Sequence, residues 1–338
     1  KIASGHLMRC LTVARALQKK GAHTCFLFSD TRSQALLDRW LTPAERQENR
    51  HPSICLGSDY RRPEAELENL TKLLAHPRPA CLLADSYFVT PHWLRSVKAC
   101  CPVAFFDDLQ AFDPPVDLVV NYDLTVDIAF YQNASKVLAG CAYTPLREQF
   151  AGQNYRFSDQ VCNVFLSTGG SDPFGILNHM LSVLLSRPQW TGTSFHLIVG
   201  PHITRRTELE ALAAKDARIH LHENVQDMAL LMSQCDLAFC AGGTTLYELC
   251  ALGVPALSYS MADNQQTGVR AFADAGLIPT LGDIRSTKDF YERAAAKLEA
   301  LAADPMSRKK QSAQMRAAID GAGAERIALE LLNIKSTR

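Results

Sequence analysis

Residues 236–266 read DLAFCAGGTTLYELCALGVPALSYSMADNQQ. Leu237 to Ala241 is a short apolar run, Gly242 and Gly243 break it, and Thr244 to Leu252 carries Leu246, Leu249 and Cys250 at helical spacing. The period switches at the glycines, which predicts a strand, a tight turn and a helix. Pro255 to Tyr259 then supplies a second strand, and a polar loop with Asn264 and Gln265 follows. A helix that starts at a glycine turn offers unpartnered backbone N–H groups and the positive end of its dipole, so it suits an anion such as a phosphate. The same stretch also reads as an ordinary βαβ unit, in which Thr244 and Glu248 serve only the helix start. On these residues alone both readings stand.

A second glycine turn tilts the balance. Ser167-Thr-Gly-Gly-Ser-Asp-Pro173 follows the apolar run 161–168 and precedes a helix predicted to begin near Phe174. Two such turns at strand ends of one domain, Gly169-Gly170-Ser171 and Gly242-Gly243-Thr244-Thr245, can converge on a diphosphate. Glu248 lies one helical turn beyond Thr244, where a carboxylate can accept from the vicinal hydroxyls of a ribose. Neither G-x-x-x-x-G-K nor G-x-G-x-x-G occurs, so the commonest nucleotide fingerprints are absent.

Further out, short apolar runs alternate with helical or loop segments along the chain. Strands are expected at 23–28, 53–56, 80–84, 103–106, 118–121 and 136–138, then at 161–168, 195–199, 219–221, 237–241 and 255–259. This rhythm predicts an α/β protein with two Rossmann-like domains. At 338 residues the chain exceeds one core. We place an N-terminal domain at 1–150, a C-terminal domain at 160–310, and helices over 311–338 that pack back across the linker.

Thirty-five basic residues balance thirty-five acidic ones, so no global field favours nucleic acid. No apolar run approaches the roughly 20 residues that span a bilayer, and membrane insertion is not expected. Eleven cysteines without a C-x-x-C pair, many within apolar runs (Cys25, Cys55, Cys81, Cys162, Cys240), suit buried reduced thiols and a cytoplasmic protein. No D-x-D occurs, so a metal-free site without a cofactor is expected.

Near the start, Leu7, Met8, Leu11, Val13, Ala14 and Leu17 form an apolar stripe that predicts a helix over 6–20, with Ser4 as its cap and Gly21 as its stop. His6 falls in its first turn. It is either a surface residue or a proton acceptor beside Gly5, whose bare backbone admits a ligand. Asp30, Asp85-Ser86-Tyr87 and Asp107-Asp108 end strands, where open parallel sheets place ligands. Asp30 reads as a helix cap, Asp85 and Tyr87 as site residues.

Taken together, Gly5-His6-x-Met8-Arg9-Cys10, Asp85-Ser-Tyr87, Pro145-Leu-Arg147-x-x-Phe150, Gly169-Gly170-Ser-Asp172, Gly243-Thr-Thr-x-x-Glu248 and Asn264-Gln265 resemble the UDP-sugar hydrolases of pseudaminic acid synthesis and their relatives in spore coat polysaccharide synthesis. The resemblance spans residues 2 to about 285. It implies a glycosyltransferase-B-like fold, two Rossmann-like domains facing a central cleft, with nucleotide held by the C-terminal domain. It implies that His6 is the general base that activates water against the anomeric carbon, with inversion and release of UDP. Gly169, Gly170, Ser171, Gly242, Gly243, Thr244 and Thr245 would meet the diphosphate, and Glu248 the ribose. Asn264 and Gln265 would reach the sugar or phosphate, Arg147 the phosphate, and Gly5, Arg9, Asp85 and Tyr87 the substrate around the sugar. Ala3 stands where such proteins carry glycine, and the resemblance leads us to expect a strand ahead of Lys1. Two rivals share the fold: a transferase in which His6 deprotonates an acceptor hydroxyl, and a non-catalytic sugar-nucleotide binder. No compact Lys/Arg cluster with aromatics is visible in the first domain, which speaks against a lipid acceptor. The expected partner is a UDP-sugar, and the sequence is silent on oligomeric state.

Overall fold

A computed structural model describes residues 4–334 apart from positions 154 and 201. The chain divides into two compact units, residues 1–147 with 322–338, and residues 148–321.

Unit 1 contains α1 (Ser4–Lys19), β1 (Phe26–Phe28), α2 (Thr31–Trp40), α3 (Pro43–Gln47), β2 (Ser53–Cys55), α4 (Leu67–Ala75), β3 (Leu82–Ala84), α5 (Pro91–Lys98), β4 (Val103–Phe106), β5 (Leu118–Asn121) and β6 (Lys136–Ala139). Strands β3-β4-β5-β6 form a parallel sheet in that order, and β1 pairs with β2 as a separate parallel ribbon. Every residue of β4 and β5 is buried. The reason is that both faces are covered, as parallel sheets require. Val103 and Phe105 pack with Leu94 and Val97 of α5, whereas Ala104 and Phe106 pack with Val13 of α1. Helix starts follow local chemistry: Thr42 and Glu45 form a reciprocal capping box ahead of α3, and Thr90 caps α5 with Pro91 at its first position. Asp30 accepts from Arg32 N and Ser33 N, so it caps α2.

Unit 2 contains β7 (Asn163–Ser167), β8 (Ser171–Asp172), α6 (Ile176–Leu185), β9 (Ser194–Ile198), β10 (His202–Ile203), α7 (Arg206–Ala213), β11 (Ile219–His222), α8 (Met228–Ser233), β12 (Leu237–Ala241), α9 (Thr244–Leu252), β13 (Ala256–Ser260), α10 (Asp263–Asp274), β14 (Thr280–Asp283), α11 (Phe290–Ala303) and α12 (Pro305–Ala318). Its six-stranded parallel sheet runs β11-β9-β7-β12-β13-β14. The central strands β12 and β13 are buried throughout. Arg308 of α12 is fully buried, and its guanidinium donates to the carbonyls of Leu301, Ser158 and Asp159, which ties α12 to the segment leading into β7.

The last helix, α13 (Gly323–Leu332), belongs to unit 1, where Ile327, Ala328 and Leu331 pack with Val13, Phe106 and Leu138. Gly323 permits it, because a Cβ there would fall 2.2 Å from the Thr144 carbonyl oxygen. Strand β14 was not expected, since a four-residue edge strand ending in Gly-Asp carries almost no period. The cap expected at Ser4 falls on a side chain outside the described residues. The expectation of buried thiols needs correction: Cys25 and Cys162 are exposed, because each lies one residue ahead of its strand, which begins at Phe26 or Asn163. No described helix is long and apolar enough to cross a membrane.

Candidate active site

In unit 1 the carboxyl ends of β3, β4 and β5 present Asp85, Asp107-Asp108 and Tyr122 on one rim, and α1 lays His6 and Arg9, three residues apart on one helical face, against them. His6 Nδ1 is hydrogen-bonded to Asp85 Oδ1. Arg9 donates through Nε and Nη2 to both oxygens of Asp85 at 2.6 and 2.5 Å, and through Nη1 to both oxygens of Asp108 at 2.7 and 2.9 Å. The same Nη1 donates to the Tyr122 hydroxyl at 2.8 Å, and the guanidinium lies over the Phe106 ring, 4.6 Å from its centroid. Cys10 Sγ donates to Asp85 Oδ2. Tyr87 sets its ring edge-on to His6, with centroids 4.5 Å apart, and its hydroxyl donates to Asp108.

The electrostatics fix the proton positions. Burial alone would raise the Asp85 carboxyl, but the hydrogen bonds and charge of Arg9, with help from His6, overcome it and hold the group down at about 2. Burial pushes the Cys10 thiol well up, and burial with Asp108 pushes the Tyr87 phenol up, so both remain protonated donors. An ionised Asp85 can only accept. The proton between it and His6 therefore sits on Nδ1, and in the neutral imidazole the lone pair is then on Nε2. Arg9 Nη2 also lies 3.1 Å from Nδ1, yet its closer bond is to Asp85.

Arg9 was expected at the substrate, and here the structure corrects the sequence. Its side chain is 8% exposed and its donors are taken by two carboxylates and a phenol, so it holds the acids rather than a ligand. Asp85, 4% exposed, likewise meets His6 and Arg9 rather than lining a sugar pocket. Asp107 is a turn former, accepting from Leu109 N and Gln110 N. Asp108 and Tyr122 were not assigned from sequence. The available signal was their place directly after β4 and β5. Gly5 is exposed beside His6, and Arg147, half-buried, is the last residue of unit 1.

In unit 2 both glycine turns lie at the carboxyl ends of β7 and β12, which are adjacent strands. Helix α9 begins at Thr244, and no side chain caps it. Gly242 and Gly243 differ in kind. A Cβ on Gly242 would come 2.6 Å from Val269 Cγ1 and 3.2 Å from Gln265 Cβ, so this buried glycine lets α10 close on the turn. Gly243, like Gly170, has nothing within 4 Å of such a Cβ and does not adopt a left-handed φ. Packing therefore accounts for Gly242 but not for Gly243 or Gly170. The Gln265 side-chain oxygen accepts from Met261 N, and Asn264 is exposed in the first turn of α10. Arg285 holds that turn by binding Asp263 and Asp283. Ser171 sits in β8, Thr244 is exposed, and Thr245 and Glu248 are half-buried on α9.

With this geometry in view, comparison with known proteins identifies the fold. Residues 164–327 match the glycosyltransferase family 28 C-terminal domain. The solved structure of MurG from Acinetobacter baumannii superposes with a TM-score of 0.69 at 16% identity, covering 98% of this chain and 97% of that one. Spinosyn rhamnosyltransferase SpnG complexed with thymidine diphosphate gives 0.62 at 18% identity, covering 96% of each. The fold is thus the glycosyltransferase-B type, an α/β architecture with parallel sheets. Among curated proteins, the spore coat polysaccharide biosynthesis protein SpsG of Bacillus subtilis is 28% identical over 170 residues, 49% of this chain and 50% of its own length. The chain spans about half the length of the curated relatives it matches. The family match covers the second half of the chain, and the structural matches show the fold. They correct the expectation of hydrolysis within pseudaminic acid synthesis, since the domain that matches is that of a glycosyltransferase family.

Proposed function

We propose that the protein transfers a sugar from UDP to an acceptor hydroxyl. The observation that carries this is the His6–Asp85 pair, in which a carboxylate held ionised orients the imidazole and leaves Nε2 as the basic atom. Nε2 takes the proton of the acceptor hydroxyl, the freed oxygen attacks the anomeric carbon, and the bond from that carbon to the diphosphate oxygen breaks. Asp85 then stabilises the imidazolium, while Arg9, Asp108 and Tyr122 keep Asp85 in place.

The departing diphosphate carries the developing charge. The bare backbones of Gly170 and Gly243 and the uncapped start of α9 support its assignment to unit 2, because amides pointing at an anion stabilise it without reorganising. Glu248 would accept from the ribose, and Thr244, Thr245, Ser171, Asn264 and Gln265 would complete the donor pocket. Arg147 would neutralise phosphate, and Tyr87 and Gly5 would border the sugar. The match to the family 28 C-terminal domain over 164–327 supports placing the nucleotide in this unit.

The test is a panel of UDP-sugars assayed for UDP release with and without a mixture of hydroxyl acceptors. Release should depend on acceptor and yield a glycosylated product. Equal release in the absence of any acceptor would reject transfer.

A further inference from the structure

Helices α6 and α7 of unit 2 border a cleft of about 360 Å³. Asn178, His179 and Ser182 line it from α6, Glu208 lines it from α7, and Arg205 and Lys215 line it from just before and just after α7. None of the residues assigned to the sugar nucleotide is among its lining residues. Asn178 is the unusual member. It is 6% exposed, and neither its side-chain oxygen nor its side-chain nitrogen has a hydrogen-bond partner among the described residues. Buried amides are almost always paired, because an unpaired one gives up its hydration without return. Asparagine also favours caps and turns over helix interiors, and its neighbours Leu177 and Leu181 show that buried positions of α6 otherwise take leucine. A cation stands close by. A Cβ on Gly175, at φ +64°, would lie 2.9 Å from both Cδ and Nε of Arg205, so the bare backbone lets the arginine stem lie across the start of α6. The Arg205 side chain is 46% exposed and its pairing with Glu208 is long, at 3.8 Å. Arg205 and Lys215 against one carboxylate leave the cleft net positive.

We infer that this cleft is a second small-molecule site, and that its ligand is a hydroxylated anion about the size of a sugar phosphate. The charge follows from Arg205, whose planar guanidinium is only loosely paired and suits a phosphate or carboxylate, with Lys215 as a further cation. The hydroxyls follow from Asn178. Its amide holds an acceptor and two donors side by side, and a hydroxyl, which donates and accepts, satisfies both kinds. Ser182 gives its own proton to the Asn178 backbone carbonyl at 2.9 Å and keeps lone pairs for a ligand hydroxyl. His179 keeps Nδ1 on the Gly175 carbonyl at 2.9 Å, so in the neutral ring Nε2 is a further acceptor. The volume falls within the range of small-ligand pockets. A polyol phosphate and a sugar acid present the same chemistry to these residues. The inference stands apart from the transfer reading, because it uses no residue assigned to the donor or to the base.

The probes are glucose 6-phosphate, gluconate, glucose and inorganic phosphate, each titrated by 15N–1H NMR into the full chain with the backbone amides of α6 and α7 as reporters. We expect glucose 6-phosphate or gluconate to bind about tenfold or more tightly than either glucose or inorganic phosphate, with the shifted amides confined to these helices. Tighter binding of glucose 6-phosphate assigns the phosphorylated source, and tighter binding of gluconate the sugar acid. Asn178→Leu should weaken the better probe by about tenfold with the melting temperature unchanged or raised, since it removes an unpaired buried amide. A merely structural Asn178 would lower the melting temperature and leave the probe's affinity alone. Arg205→Gln, at an exposed side chain, should weaken the probe to a similar extent, and it carries the test should the leucine variant fail to fold. Affinity for UDP should stay within about twofold in both variants. Equal binding of all four probes, shifts centred on the glycine turns at 169–171 and 242–245, or a probe affinity that survives both substitutions overturns the inference.

Discussion

The two units are built of different materials at their strand ends. Unit 1 concentrates side chains: a histidine, an arginine, two aspartates and two tyrosines form one hydrogen-bonded array, with Arg9 and Asp85 almost fully buried. Unit 2 offers bare backbone: two glycine turns, an uncapped helix start, and short polar residues around them. The first arrangement suits proton transfer, which needs a titratable atom held at one position. The second suits a diphosphate, which needs many fixed dipoles and room for the backbone to approach. Substitutions should therefore damage rate in one unit and affinity in the other, and that separation can be broken or sharpened experimentally.

The largest effect is expected from His6→Ala, which removes the base. Turnover should fall by about 10³- to 10⁴-fold, with the UDP dissociation constant within twofold of wild type. A parallel collapse of UDP binding would erase the division between units. Next, Asp85→Asn keeps size but no longer stabilises the imidazolium or demands the proton on Nδ1, so steady-state assays should show a loss of about 10²-fold or more in kcat with KM for the donor little changed.

In unit 2, Gly243→Ala should weaken UDP binding by about tenfold or more in calorimetry and leave the melting temperature alone, since its Cβ points into open space. Gly242→Ala should do the reverse: the clash with Val269 is expected to cost about 1–3 kcal/mol of stability in urea titrations. If both variants lose stability equally, Gly243 is an ordinary packing glycine.

The smallest effect separates the units by pH. In unit 2, His196 stacks with His220 and His222, and burial together with those neighbours lowers His196 to about 4; burial likewise lowers His222. A histidine depressed on folding adds stability that is complete above its unfolded value near 6.5 and is lost as pH falls toward the folded value. Because these rings are half-exposed, the loss should be only about 1 kcal/mol between pH 7 and 4, and His196→Gln should flatten it. In unit 1, Asp85 is also depressed, so its contribution is present above its unfolded value near 3.9 and is lost only as pH falls through about 2. Unfolding followed by a probe in each unit should thus show unit 2 responding first as acid is added.

Much of this is legible in the sequence. Strands 103–106, 118–121 and 237–241 fall where their apolar runs place them, because each is buried throughout and bounded by turn residues, and helix 244–252 falls where Leu246, Leu249 and Cys250 set the helical period. The glycine turns were equally plain, since glycine is a local signal. The side-chain array was not. His6 and Asp85 are 79 residues apart, and Arg9 and Asp108 are 99 apart, so no spacing rule joins them. What brings them together is the parallel order of β3, β4 and β5, and what turns Arg9 from a substrate ligand into a clamp is burial, which a sequence does not display. The cleft between α6 and α7 is hidden for the same reason, its lining residues being divided between two helices.

The central claim is that Asp85 makes His6 a base by holding its proton on Nδ1. Long-range 15N–1H NMR of imidazole-labelled protein at neutral pH reports directly which ring nitrogen is protonated. The account predicts that neutral His6 carries its proton on Nδ1, hydrogen-bonded to Asp85, with an unprotonated Nε2, and that Asp85→Asn abolishes this preference. A proton on Nε2 in the wild-type protein would contradict it.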